Sequence, residues 1–490
     1  MTVLVVGAGP TGLTVAALLG QRGIACTVVE RRAEVFALPR AVHLDDASMR
    51  VLQELGVAQR LPTRPALGLR LVDARHRTMA QFDRKGRGLY GYPRANMFDQ
   101  PTLEGLLRQR LASLPCVELR EGVELLALDG TRASLRDVST GVVTHTEFSY
   151  VLGCDGAGST VRAETGLGWR ELGFQERWLV VDGRQGTSLG TWDGVLQVCD
   201  PGRAATYMQV SADRYRWEFR LREGETSDSV DLHALLRPWA VAPDLEILRR
   251  AEYTFRAGIA ERWRQTNVLL LGDAAHQTPP FIGQGLGLGL GDAANLAWKL
   301  AAVLGGANED VLDTYQTERA PQAEALIKKA ILVGWALTGG QDAAAYVRRR
   351  ALAQLCRTPR LMTSLLDRGT PSLSRGPLVG RGRNPRSLAG QLIPQPAADF
   401  DAELGDGFAL VLTHRPTPEV SVLAARLSAR EVVAPPAVRD WMRRAGATAL
   451  VVRPDRVVLA TTRRGGELSR EGRRAGEVCA QIAFPPMLVE

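Results

Sequence analysis

Lysine is nearly missing from this chain of 490 residues: Lys85, Lys299, Lys328 and Lys329 are the only four among 61 basic residues. Arginine supplies the rest, scattered along the chain instead of blocked. The formal charge of +8 therefore makes no clustered basic footprint, which excludes a nucleic-acid partner. Cysteine is sparse too, with six residues, no CxxC pair and no metal-ligand spacing. That pattern excludes a disulfide scaffold and a zinc ribbon, and it suits reduced, mostly buried thiols of the cytosol. Also lacking is any uninterrupted apolar run of membrane-spanning length. Residues 3 to 19 are apolar, but no basic segment precedes them and Gly7, Gly9, Pro10 and Gly12 break them, so they are not a signal peptide. These absences leave a cytoplasmic protein with no stable membrane association, long enough for two or three domains.

What is present begins at once. Val3-Leu4-Val5-Val6 is a short apolar run of the kind buried in a parallel sheet. It enters Gly7-Ala8-Gly9-Pro10-Thr11-Gly12, a helix-like run follows, and Cys26-Thr27-Val28-Val29 forms a second strand closing on Glu30. Each part has a physical task. Gly7 permits the tight turn, Gly9 lets backbone approach a pyrophosphate, Gly12 lets helix and strand pack, and Glu30 accepts from an adenosine ribose. Arg31 and Arg32 leave a 2′-phosphate open as an alternative partner. A second GxGxxG, Gly86 to Gly91, follows no strand and opens no helix, and is expected to be a loop.

Two later segments extend the pattern. Tyr150-Val151-Leu152-Gly153-Cys154-Asp155-Gly156 is again a strand running into a glycine turn with an acid. Val268-Leu269-Leu270-Leu271 then leads into Gly272-Asp273-Ala274-Ala275-His276, Pro279-Pro280 and Gly283-Gln284-Gly285, and on into a helix. An acid at a strand end can hold a polyol hydroxyl, and glycines opening a helix can bring N–H groups against an anionic ring.

Together, the three segments resemble the three signatures of flavin-dependent aromatic hydroxylases of the p-hydroxybenzoate hydroxylase class. Further stretches narrow the resemblance to 3-(3-hydroxyphenyl)propionate hydroxylase-like monooxygenases: Leu38-Pro39-Arg40-Ala41-Val42-His43-Leu44-Asp45-Asp46, Gln100-Pro101, Trp178 to Asp182 and Leu312 to Arg319. The resemblance implies an α/β (α+β mixed) fold, with a Rossmann-like FAD/NAD(P)-binding domain interleaved with a β-sheet substrate domain and followed by a C-terminal thioredoxin-like domain. The implied pieces are 1–70, 98–178 and 265–340 for FAD, and 71–97 and 179–264 for substrate. A helical segment and linker would cover 341–384, with Gly-, Pro-, Arg- and Ser-rich residues 368 to 396 as linker, and the thioredoxin-like unit 385–490.

The resemblance also implies roles. Gly7, Gly9, Gly12, Glu30 and Arg31 would hold the adenosine end of FAD, and Arg40 and Gln100 its phosphate and ribityl region. Gly272 and Asp273 would bind the ribityl chain, and Pro280, Gly283 and Gly285 would lie against the ring. Asp155 would serve both FAD and the transient co-substrate, NADPH or NADH. The implied reaction hydroxylates a phenolic aromatic substrate with O₂ through a flavin C4a-hydroperoxide, possible substrates being a 3-hydroxyphenylpropionate-like acid or a larger polyketide or antibiotic ring. The alternative of a different class is a non-catalytic flavin-binding module, and a homodimer is a further expectation.

The base that deprotonates a phenol is not evident in sequence. His43 and His276 lie in flavin-adjacent motifs, and Pro280, Tyr207 and Tyr215 complete the catalytic candidates. Arg184, Arg216 and Arg220 could meet a substrate carboxylate, although with so many arginines a solvated role is expected of each. One departure stands out: Leu286-Gly287 occupies the place where the wider family often carries Met-Asn.

Overall fold

The computed structural model describes residues 1–490 except 36–39, 187–188, 190–191, 201, 240, 242, 339–370, 382–385, 398, 463–466 and 483–490. Leu38 and Pro39 of the motif before Arg40, Cys356, and residues 341–370 and 382–384 of the expected helical segment and linker lie outside the described residues.

The apolar run at the amino terminus becomes the buried strand Thr2–Val6 at the middle of a six-stranded sheet. It pairs in parallel with Ala25–Glu30 on one side and Tyr150–Gly153 on the other. Val117–Glu121 and Val268–Leu270 extend the sheet in parallel, so three glycine turns emerge at one edge of it. The helix Pro10–Gly20 starts with proline in its first turn, where the missing N–H costs nothing. Buried on nearly every side, it packs between the helices Gln100–Ala112 and Gly285–Leu304.

A second, mainly antiparallel sheet has eight strands. Its centre is formed by Glu246–Ala260, Trp169–Arg184, Arg214–Arg220 and Ala205–Gln209. Two of the implied domain breaks fall inside its strands. Gly68–Val72 is in register with its neighbour from Gly68 to Leu71 and Trp169–Arg184 from Phe174 to Asp182, so breaks at 70/71 and 178/179 would cut paired strands. Leu179, Val181, Tyr207, Tyr215, Trp217 and Phe219 cover one face and bury against Leu236 and Trp239. Their neighbours along each strand face the other way, as the two-residue period demands. A three-stranded ribbon of His43–Leu44, Asn96–Phe98 and Thr63–Pro65 bridges the two sheets, with Val42 and Met97 packed in one cluster with Met208.

The C-terminal unit has a four-stranded sheet in the order Arg430–Val433, Ala409–Leu412, Ala449–Val452, Val458–Thr461. Its first two members are parallel through the helix Pro418–Arg426, and the last two form an antiparallel pair. The expectation of a linker over 368–396 fails for its described residues. Leu378, Val379, Ala389 and Ile393 are buried, and Gly380 and Gly390 donate to Leu459 and Val458. Turn-forming composition reported the lack of regular structure, not the lack of packing.

This unit is clasped to the first domain by a buried ionic cluster. Glu318 accepts from Lys299 Nζ at 2.9 Å and from both Arg453 Nη atoms at 2.8 and 2.9 Å. Asp455 pairs with Arg453 in turn, and Asn295 donates to Glu318 at 2.8 Å. Trp298 lies under Arg453 and edge-on to Phe408, sealing the joint.

Candidate active site

One cavity of about 950 Å³ runs from the first glycine turn across the seam to the second sheet. At its near end Gly7 adopts φ 101°, and a Cβ there would stand 2.5 Å from Cys154 O. A Cβ on Gly12 would strike the carbonyl of Gly7. Those two glycines are required by the fold itself. Gly9 is different: its backbone is extended, φ −73°, and no protein atom lies within 4 Å of where a Cβ would be. Only a ligand pressed against the turn requires glycine there, and a pyrophosphate at a helix N-terminus is such a ligand. Glu30 Oε2 accepts from Ala8 N at 3.0 Å and Oε1 from Arg32 N at 3.1 Å, which aims the carboxylate into the cavity. Arg31 and Arg40 line the same space.

Gln100 acts on the protein. Its Oε1 accepts from Arg40 N at 3.0 Å and Ala41 N at 2.8 Å, and its Nε2 donates to Glu104. It fixes the peptide that carries Arg40, although it also lines the cavity. Asp155 is likewise engaged, accepting from the Ser159 hydroxyl at 2.5 Å and from Val161 N at 3.0 Å. It shapes the Gly156–Gly158 turn at the cavity edge.

Asp273 lines the same cavity. Burial pushes its carboxyl up, while His276 and Arg40 act in the opposite direction. Gly272, at φ 57°, lets Thr11 press against the turn. Beyond it, Pro280, Phe281 and Ile282 form a single helical turn, and Gly283 closes that turn in the left-handed region at φ 63°. The helix Gly285–Leu304 then points its N-terminus at the cavity, favourable to negative charge on a bound ring. The departure at Leu286-Gly287 has a local cause: a Cβ on Gly287 would stand 2.8 Å from Ser48 Oγ. Ser48 is locked there by Asp45, which accepts from its N at 2.8 Å and its Oγ at 2.5 Å. An asparagine at this position would have to displace the Ser48 hydroxyl.

The two candidate histidines part company. His43 lines the cavity, with Nδ1 3.1 Å from the carbonyl of Gly283. A carbonyl only accepts, so Nδ1 carries the proton and Nε2, which has no hydrogen-bond partner, keeps its lone pair. Burial and then the Arg84 charge push its pKa down, against the pull of Gly283 and Asp45. His276 does not line the cavity. It is fully buried, with Nε2 2.6 Å from Asp292 Oδ2. Asp292 also accepts from Gly272 N at 3.1 Å and Arg319 Nε at 2.8 Å, so His276 holds the turn that carries Asp273.

Tyr207 and Tyr215 do not reach the cavity either. They stack in the aromatic core on the far face of the second sheet, with Trp217 and Trp239. The cavity side presents Val180, Thr206, Met208, Arg216 and Glu218 instead. Arg216, expected to be solvated, is buried, and donates to Asp182 through Nε at 2.7 Å and Nη2 at 3.1 Å. Its Nη1 donates to the carbonyl of Arg40 at 2.8 Å, tying this sheet to the first domain. Arg184 pairs with Asp213 and Glu246 at the surface, and Arg220 lies 3.8 Å from Glu176. The cation that the sequence reading passed over is Arg249. It enters the cavity wall from the neighbouring strand, beside Tyr253 and Glu218. The signal was in Arg216-Trp217-Glu218-Phe219. If the aromatic residues take the core face, the charged ones share the other, and here that face borders a cavity and not solvent.

The residues fit FAD: an open glycine at a helix N-terminus, an acid for each sugar-like end, and a ring-sized space against a second helix N-terminus. The family described as FAD binding domain matches residues 1–330. The "probable NADH-specific resorcinol 4-hydroxylase" of Rhodococcus jostii (strain RHA1) is 37% identical, over 71% of this chain and 69% of that protein. A 3-(3-hydroxy-phenyl)propionate/3-hydroxycinnamic acid hydroxylase of Burkholderia cenocepacia (strain HI2424) is 32% identical, over 95% of this chain and 94% of its own. Among solved structures, the complex of aklavinone-11 hydroxylase with FAD and aklavinone superposes with a TM-score of 0.78 at 24% identity, covering 98% of each chain. The substrate-free rebeccamycin biosynthetic enzyme gives 0.78 at 22% identity, covering 98% of this chain and 99% of that one. These two likenesses speak for the fold.

Proposed function

The chain belongs to the FAD-binding domain family, among the flavin-dependent aromatic hydroxylases, and from that premise we propose that it hydroxylates a small phenol in the cavity between its two sheets, using FAD, NAD(P)H and O₂. The observation that carries this reading is the continuity of the cavity. One space is lined at one end by Gly9 and Glu30 and at the other by the polar face of the second sheet. FAD, when bound, supplies the redox chemistry that links NAD(P)H to O₂.

The chain's residues do the rest. Gly9 and the start of the helix Pro10–Gly20 receive the pyrophosphate, Glu30 and Asp273 the hydroxyls of the two sugar-like portions. His43, anchored through Nδ1 on Gly283, takes the phenol proton once substrate reaches its Nε2, which is unpaired and closed to solvent. Val180, Met208 and Phe281 exclude water from the reacting face. Asp155 and its turn guide the nicotinamide coenzyme to the cavity edge. The C-terminal unit is read as thioredoxin-like, which its strand order supports, and it carries no paired cysteines for redox work. Among the described residues no helix is long and apolar enough to cross a membrane, and the five described cysteines are free thiols. Those thiols suit the cytoplasm.

The test is oxidation of NADH and of NADPH by the FAD-loaded protein, with resorcinol and 3-(3-hydroxyphenyl)propionate and with product masses measured. A gain of one oxygen atom is the expected result. Oxidation indifferent to every phenol, with no oxygenated product, would overturn the reading.

A further inference from the structure

Across the cavity face of the second sheet, three strands bring one row of charges together. Asp182 is paired in register with Arg216 on one side and with Arg249 on the other. Two guanidinium groups thus flank a single carboxylate. All three side chains are buried: Arg216 is 1% exposed, Arg249 5% and Asp182 6%.

The two arginines are not equivalent. Arg216 uses both edges, bidentate on Asp182 and donating to Arg40 O. Arg249 donates from Nη1 to the Tyr253 hydroxyl at 3.1 Å. Its Nη2 stands 2.8 Å from Asp182 Oδ2, close enough for attraction. Yet neither its Nε nor its Nη2 makes an aligned hydrogen bond, and both atoms are shut off from solvent. A buried guanidinium with idle donors is costly, and a ligand oxygen is one partner that would complete it. Glu218, paired in register with Val180, lies on the same face. Burial pushes its carboxyl up, Asp182 adds to that push, and Arg216 and Arg249 oppose it.

Resting on the phenol hydroxylation proposed above, we infer that Arg249 is the anion subsite of the substrate pocket. It receives an acidic oxygen of an aromatic substrate, either a side-chain carboxylate or an ionised ring oxygen. Asp182 and Arg216 act as positioning residues: they fix the guanidinium plane and tie its strand to the Arg40 peptide. The fork geometry of arginine suits a two-oxygen anion better than a lysine does.

The test is titration of the oxidised FAD-loaded protein with 3-phenylpropionate, its neutral amide and resorcinol, followed by the visible flavin band. Wild type is compared with Arg249→Lys and Arg249→Met. Flavin content and melting temperature report folding, and Arg249→Lys keeps the charge beside Asp182 if the methionine variant is unstable. For a carboxylate subsite, wild type prefers 3-phenylpropionate over the amide, and both variants weaken that binding by about 10- to 100-fold without touching resorcinol. For a ring-oxygen subsite, the loss falls on resorcinol alone. Variants that bind all three ligands as wild type does overturn the inference while leaving the hydroxylase reading in place. A wild type that holds FAD but binds none of the three overturns that reading, and the inference with it.

Discussion

Two buried ionic clusters of similar chemistry do opposite things in this molecule. At the joint with the C-terminal unit, Glu318, Lys299, Arg453, Asp455 and Asn295 saturate one another. Burial works against the Glu318 carboxylate, but Arg453 and Lys299 outweigh it and hold it down at about 2. Burial in turn brings Lys299 down to about 8. On the second sheet, Asp182, Arg216, Arg249 and Glu218 are buried too, yet two nitrogens of Arg249, a residue of the cavity wall, make no hydrogen bond. The difference teaches that saturation, not burial, separates a clasp from a site. A closed network fixes geometry, and an open one waits for a partner.

Breaking the clasp gives the largest effect. Arg453→Met takes the bidentate partner from Glu318, which keeps Lys299 and Asn295, and the cationic partner from Asp455, and is expected to cost about 3–5 kcal/mol, read as an earlier unfolding transition of the C-terminal unit. A third buried charge gives a smaller effect that depends on pH. Burial, then the neighbouring Asp45, pushes Asp46 up to about 6. Its folded form keeps a proton that the unfolded chain has lost, so stability falls as pH rises from the ordinary value of 3.8 through about 6. Asp46→Asn should lack that slope and exceed wild type above pH 6 by about 1–3 kcal/mol, measured by urea unfolding at several pH values. The smallest effect belongs to the open cluster. Arg249→Met leaves Asp182 with its bidentate partner, and should change stability by less than about 1 kcal/mol in thermal or urea melts. A loss as large as that of Arg453→Met would erase the distinction between the clusters.

The first domain was legible in sequence because its signals are local. Val3 to Glu30 is one strand-turn-helix-strand unit, and its Gly7 and Gly12 answer contacts within the unit or with the next turn. The aromatic core of the second sheet was less legible. Tyr207 and Tyr215 looked like candidates for chemistry because a strand's period reveals two faces without saying which one meets the ligand. His276 misled for a related reason: its motif borders the flavin turn, but its side chain points back to Asp292, twenty residues beyond Gly272 in space-filling contact that no spacing rule reports. Gly287 was an oddity until Ser48 appeared against it. The Glu318–Arg453 pair joins residues 135 positions apart, so it is visible only in the folded chain.

The central claim is that the space above the first glycine turn belongs to FAD. Gly9→Ala tests it most directly, because the extended backbone accepts alanine and no protein atom lies within 4 Å of the added methyl. The measurement is the FAD dissociation constant of this variant beside the melting temperature of its flavin-free form. The account predicts unchanged melting and a loss of FAD affinity of about tenfold or more. Unchanged affinity would contradict it.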